Sequence, residues 1–161
     1  EGASVIADPF PVRQPCGTPS VAAYDLGQSD RRGLVLVVDD DAVNRLIARV
    51  LIEARGYDVT EAEDGEAALA IFCADCGEIG LILMDLDMPG MGGLAAARAI
   101  RGVPPRGTTV PIVALTRLVD PESRRLCFDA GMNGFLPKPI SVTGIESIVC
   151  LVGDSAYRAH A

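Results

Sequence analysis

The chain alternates between two hydrophobic patterns. "LVLVV" (34–38) is a continuous apolar run with three valines, ending at Asp39. Such a run marks a strand buried on both faces, as in a parallel sheet. "AVNRLIARVLIEARG" (42–56) then places Val43, Leu46, Ile47, Val50 and Leu51 on one helical stripe, the pattern of a core-facing helix, with Gly56 as its C-cap. "YDVTEA" (57–62) predicts a short strand, and "DGEAALAIF" (64–72) a helix that Asp64 caps. "LILMD" (81–85) is the next buried strand, "LAAARAI" (94–100) a helix and "VPIVALT" (110–116) a strand. "PESRRLCFDAG" (121–131) is a helix with Pro121 near its first position and Gly131 after its end. "GFLPK" (134–138) and "ISVTGIESIVCLV" (140–152) complete the series as a short strand and a last helix.

Five strands alternating with five helices imply an α/β fold, a doubly wound parallel sheet with right-handed crossovers and helices on both faces. In such sheets the functional cleft lies outside the carboxyl ends of the strands. The first strand ends in Asp39 and Asp40, the third in Asp85, the fourth in Thr116 and the fifth in Lys138, while Glu61 and Glu63 follow the second.

Polar residues often close off strands, so a bland reading exists. A magnitude weighs against it. Two like charges about 4 Å apart cost roughly 4 kcal/mol at an effective dielectric near 20. Three clustered carboxylates therefore need compensation. Lys138 offsets one charge, and a divalent cation offsets two. All-oxygen ligands select a hard ion, Mg²⁺ or Mn²⁺, that keeps several waters. A hard metal, a carboxylate, a hydroxyl and a lysine together suit phosphoryl transfer, which needs positioning and cationic stabilisation. Asp85 is the candidate nucleophile, forming an aspartyl phosphate. The metal, Lys138 and Thr116 then give one partner to each phosphoryl oxygen.

The remaining sequence bounds this reading. Residues 1–32 carry Pro9, Pro11, Pro15 and Pro19 and sustain no period, which reads as a linker. The chain of 161 residues is 49% hydrophobic, enough for one domain with a core. Its net charge of −8 offers no basic stripe for nucleic acid. No apolar run reaches the roughly 18 residues of a membrane helix, and no signal peptide is apparent. Five scattered cysteines do not form a disulfide framework. The lone CxxC of Cys73 and Cys76 falls late in a helix, and the single histidine is His160. That argues against a redox or zinc role and fits a reducing cytosol. A chain that begins with Glu1 is expected to be cut from a longer protein or processed.

"VLVVDDDAVNR", "LILMDLDMPGMGG", "IVALT" and "GFLPKPI", in this order and spacing, resemble the receiver domain of two-component response regulators and hybrid histidine kinases. The resemblance covers about 33–152, leaving 1–32 as an N-terminal extension and 153–161 as a tail. It implies a flavodoxin-like (β/α)5 fold with strand order 2-1-3-4-5. It implies that Asp85 accepts a phosphoryl group from phosphohistidine. Asp39 and Asp40 would hold Mg²⁺, with Asp85 and the backbone carbonyl of Asp87 as further ligands. Thr116 and Lys138 would contact the phosphate, and Phe135 matches the aromatic that turns inward when Thr116 moves. The implied partners are a histidine kinase domain or a histidine phosphotransfer protein, with no nucleic acid and no membrane contact by this segment. The implied place is the cytoplasm, and the implied activity a switch that gains and loses its own phosphoryl group. Arg117 departs from the small residues common after Thr116, and Asp87 and Leu118 stand at positions that vary in the family. Pro137 suits only a strand position whose N–H goes unpaired.

"VNR" and "MPGMGG…GFLPKPI" look more like hybrid sensor kinases than transcription regulators, so a hybrid histidine kinase is the expected parent and a stand-alone regulator the alternative. "MDLDMPG" also resembles the Asp-x-Asp signature of haloacid-dehalogenase-type phosphatases. There that motif sits on the first strand and the acidic pair comes late, whereas here the pair comes first. A receiver that has lost phosphate acceptance is a third reading, and the complete set of five residues argues against it.

Overall fold

A computed structural model describes residues 32–75, 77–117 and 120–149. The expected linker, save Arg32, and the 153–161 tail lie outside the described residues, as do Cys76, Leu118 and His160. Five parallel strands form one sheet: β1 (Leu34–Val38), β2 (Asp58–Ala62), β3 (Ile79–Asp85), β4 (Ile112–Thr116) and β5 (Gly134–Pro137), in the order β2-β1-β3-β4-β5. The strands lie where the apolar runs predict them, with shifted ends. β3 starts two residues earlier, at Ile79, because Asp75 gathers the amides of Gly77, Glu78 and Ile79 and delivers the chain into the sheet. β5 is an edge strand that pairs only with β4, which is why Pro137 is tolerated opposite Thr116.

The helices are α1 (Ala42–Glu53), α2 (Gly65–Ala74), α3 (Gly93–Arg101), α4 (Pro121–Asp129) and a last helix, α5, over 142–149. Their starts follow from caps. Asp41, Asp64 and Asp120 each accept a backbone N–H of the first turn, and Pro121 follows its cap directly. α1 stops at Glu53 with Ala54, not Gly56, as its C-cap, and Gly56 turns the chain two residues later with a φ of 82°.

Strand side chains alternate between two cores. Leu36, Val38, Ile82, Met84, Ile112 and Ala114 meet Phe72, Ala96, Ala97, Ile100 and Cys127 of α2, α3 and α4. On the other face Val35, Val37, Leu81, Leu83, Val113 and Leu115 meet Ala48 and Ile52 of α1 and Ile145, Ile148 and Val149 of α5. One expectation fails here. The α1 stripe does not face the core. Val43, Leu46, Ile47 and Val50 are 62%, 58%, 42% and 56% exposed, and Leu51 is half-buried. The buried side is Ala48 and Ile52. The small Ala48 lets the helix lie close to the sheet, and Arg45 on a flank turns inward toward the end of β1.

Candidate functional site

Each expected site residue ends a strand or opens the following loop. Asp39 follows β1 and is fully buried. Its Oδ1 accepts the Asp41 amide at 2.9 Å and the Asn44 side chain at 3.3 Å, and its Oδ2 accepts Lys138 Nζ at 2.7 Å. Asp41 caps α1 through the Val43 amide at 2.8 Å. Asp39 and Asp41 are thus both committed, and Asp40 between them is exposed.

Asp85 is the last residue of β3 and is 3% exposed. Its Oδ1 accepts the Asp87 amide at 3.2 Å, and its Oδ2 lies 2.9 Å from Lys138 Nζ. The turn after it is tight for a steric reason. Gly93, the first residue of α3, lies against the carbonyl of Asp85, and a Cβ there would collide with that oxygen. Carboxylate oxygens of Asp39, Asp40 and Asp85 lie within 4.8 Å of one another. Thr116 is buried at the end of β4, and its carbonyl accepts the Lys138 amide at 2.8 Å. That bond sets Lys138 just past the sheet, where its ammonium bridges Asp39 and Asp85.

Burial opposes the charge on Lys138, but hydrogen bonds and charge from Asp39 and Asp85 outweigh it and hold the ammonium above the usual lysine value. One ammonium against three carboxylates leaves two negative charges in a small volume. The donors are all oxygen and one face is open through Asp40, so the set fits a hard divalent cation. The side chain of Asp87 is exposed and outside this cluster. Glu61 and Glu63 stand apart, lining a separate hollow with Arg45.

Two contributors are absent from the expected set. Asn44 holds Asp39 as above, and Arg45 Nη1 donates to the Asp39 carbonyl at 2.7 Å while its Nε meets Glu61 at 3.4 Å. Arg45 thus braces the loop that carries the acidic pair. The available signal is position: both lie in the first turns of the helix that follows the pair. Arg117 is exposed and lines a hollow of about 320 Å³ with Asn44, Lys138 and Pro139.

The order along the chain argues against the phosphatase alternative, because the acidic pair directly follows β1 and Asp85 ends β3. Among the described residues no helix is long and apolar enough to cross a membrane.

Comparison with known proteins agrees with the geometry. The chain is 37% identical over 114 residues to the CAI-1 autoinducer sensor kinase/phosphatase CqsS of Vibrio cholerae, covering 71% of this chain and 16% of that protein. The chain therefore spans about a sixth of that relative's length. The receiver domain of a Pseudomonas aeruginosa sensor histidine kinase, solved with magnesium coordinated in its active-site cleft, is 32% identical with a TM-score of 0.69, over 76% of this chain and 98% of that one. The receiver domain of the Saccharomyces cerevisiae response regulator Ssk1, solved with the histidine phosphotransfer protein Ypd1, is 27% identical with a TM-score of 0.69, over 74% and 88% of the two chains. Residues 35–149 match the response regulator receiver domain, a stretch that runs from β1 through the last described helix, and the chain belongs to that family.

Proposed function

We propose that Asp85 accepts a phosphoryl group from a phosphohistidine, with Mg²⁺ held by Asp39, Asp40, Asp85 and the backbone carbonyl of Asp87. The observation that carries this reading is the buried Asp85 carboxylate, paired with Lys138 at 2.9 Å and crowded by two more carboxylates within 4.8 Å. When bound, Mg²⁺, or Mn²⁺ in its place, neutralises charge on the phosphoryl oxygens. A carboxylate oxygen of Asp85 attacks phosphorus, the P–N bond breaks, and its electron pair stays on the departing imidazole. Lys138 turns from Asp85 to a phosphoryl oxygen, and Thr116 donates its hydroxyl to another. Thr116 moves toward the phosphoryl group, Phe135 follows, and the face of α4, β5 and α5 repacks as a population shift.

The phosphodonor is a histidine kinase domain or a histidine phosphotransfer protein. Two observations support such a partner. Ypd1 was solved on a receiver similar to this one. The apolar residues Val43, Leu46, Ile47 and Val50 of α1 stand exposed beside the loop of the acidic pair, a surface suited to an amphipathic helix. The parent is a hybrid sensor histidine kinase, and this segment works on the cytoplasmic side. The support is that the chain resembles part of several sensor kinases.

The test is phosphoryl labelling of the chain by acetyl phosphate and by a phosphorylated histidine phosphotransfer protein, with Mg²⁺. One base-labile equivalent is expected in the wild type and none in Asp85→Asn. Undiminished, acid-stable labelling of Asp85→Asn overturns the proposal.

A further inference from the structure

Phe135 and Thr116 share one face of the sheet. Phe135 pairs with Ala114, and side chains alternate, so Thr116 lies one pleat further along the face that carries Ala114 and the Phe135 ring. Any displacement of Thr116 toward Asp85 opens space beside that ring. The ring is also covered from α4: the Arg124 guanidinium carbon lies 4.5 Å from the ring centroid. Arg124 makes no ion pair among the described residues, whereas its neighbour Arg125 faces Asp129 at 3.7 Å. Among the described residues, Arg124 Nε is the buried side-chain polar atom that lacks a hydrogen-bond partner. A long arginine on an exposed helix is free to swing into water and satisfy that group. Here it lies on the ring instead, with that Nε unpaired.

We infer that Arg124 is a positioning residue for the Phe135 switch: stacked on the ring, it holds Phe135 in the resting arrangement and so sets how readily the domain shifts to the phosphorylated one. The inference rests on the receiver reading of Asp85, because the stacked state is coupled to the site only through Thr116. A cation–π contact is a weak one and the unpaired Nε opposes it, a scale that one covalent phosphoryl group can overcome. Swinging out, Arg124 also adds an unpaired positive charge to the α4 surface in the switched state.

The experiment titrates the full chain with beryllofluoride and Mg²⁺, an acyl-phosphate mimic, and follows the Phe135 signal by ¹⁹F NMR of fluorophenylalanine-labelled protein, assigned with Phe135→Leu. In Arg124→Ala the beryllofluoride midpoint is expected about two- to fivefold lower than in wild type. The Phe135 resonance of the unligated variant moves toward its bound position. Arg124→Lys, which keeps a cation over the ring, recovers most of the wild-type midpoint, and Arg125→Ala leaves it unchanged. A midpoint unaltered in Arg124→Ala overturns the inference even if that variant melts earlier, since a structural role alone gives that result. An equal shift in Arg125→Ala overturns it too. Failure of the wild-type chain to take acetyl phosphate label at Asp85 is a separate outcome that removes the receiver reading itself.

Discussion

Lys138 Nζ lies 2.9 Å from Asp85 Oδ2 and 2.7 Å from Asp39 Oδ2, so one ammonium holds together two buried carboxylates that sit 46 positions apart in sequence. Removing it leaves buried like charges unpaired. Lys138→Ala is expected to lower the unfolding free energy in EDTA by about 3–5 kcal/mol. Mg²⁺ at 100 times its dissociation constant should return about 2.7 kcal/mol. Asp85→Asn is expected to do the reverse and stabilise the metal-free protein, since it relieves repulsion at the expense of phosphate acceptance. Urea titrations with and without Mg²⁺ check both. A Lys138→Ala protein as stable in EDTA as wild type contradicts the charge argument.

The exposed stripe on α1 separates docking from chemistry. Ile47 is 42% exposed and outside both core clusters, so Ile47→Glu is expected to change stability by less than about 1 kcal/mol. Transfer from a phosphorylated histidine phosphotransfer protein should slow about tenfold, the usual loss of a central apolar anchor. Labelling by acetyl phosphate, which needs no protein contact, should keep its wild-type rate. Equal slowing with both donors rules out docking through this face.

Gly93 is the tightest steric point near the site. Alanine there drives a Cβ into the Asp85 carbonyl and to 3.0 Å from Leu86 Cα, so the backbone under Asp85 must move. Gly93→Ala is expected to cost about 1–3 kcal/mol and to slow phosphorylation of Asp85. Gly92→Ala, whose Cβ meets nothing nearer than 3.4 Å, should cost less than about 1 kcal/mol and leave labelling intact. Thermal melts and labelling rates of the pair measure the difference, and equal behaviour of the two variants refutes the steric account.

Asp75 links the entry of β3 to pH. Burial pushes its carboxyl up, but the Ile79 amide, Arg106 and the Glu78 amide more than offset that and hold it below the usual carboxylate value. Arg106 Nη2 lies 2.6 Å from its Oδ2. The unfolded chain therefore takes up the proton first on acidification, so the contribution of Asp75 is complete above about pH 4 and is lost as pH falls through the lower folded value. The stability gap between wild type and Asp75→Asn should be full at pH 7 and shrink steadily below pH 4. A gap that widens on acidification would reverse the assigned direction.

Much of the site is legible in the sequence because it is built from strand ends. A strand's buried run marks where its cleft end lies, and that places Asp39, Asp85, Thr116 and Lys138 without knowledge of the contacts between them. Asn44 and Arg45 are not legible in this way. Their roles depend on how α1 is rotated about its axis, and no local pattern reports that rotation.

The sequence by itself determined the alternation of strands and helices, the cap at Asp64, Pro121 at the start of its helix, and the residues gathered at the carboxyl edge. These are local or periodic properties, set by side-chain spacing and backbone preference. Tertiary structure alone decided which side of α1 meets the sheet, which two carboxylates share Lys138, and that Arg124 covers Phe135. Each of those depends on the fit of one element against another. In α1 the small Ala48 let the helix approach the sheet, and the larger apolar residues were left in solvent.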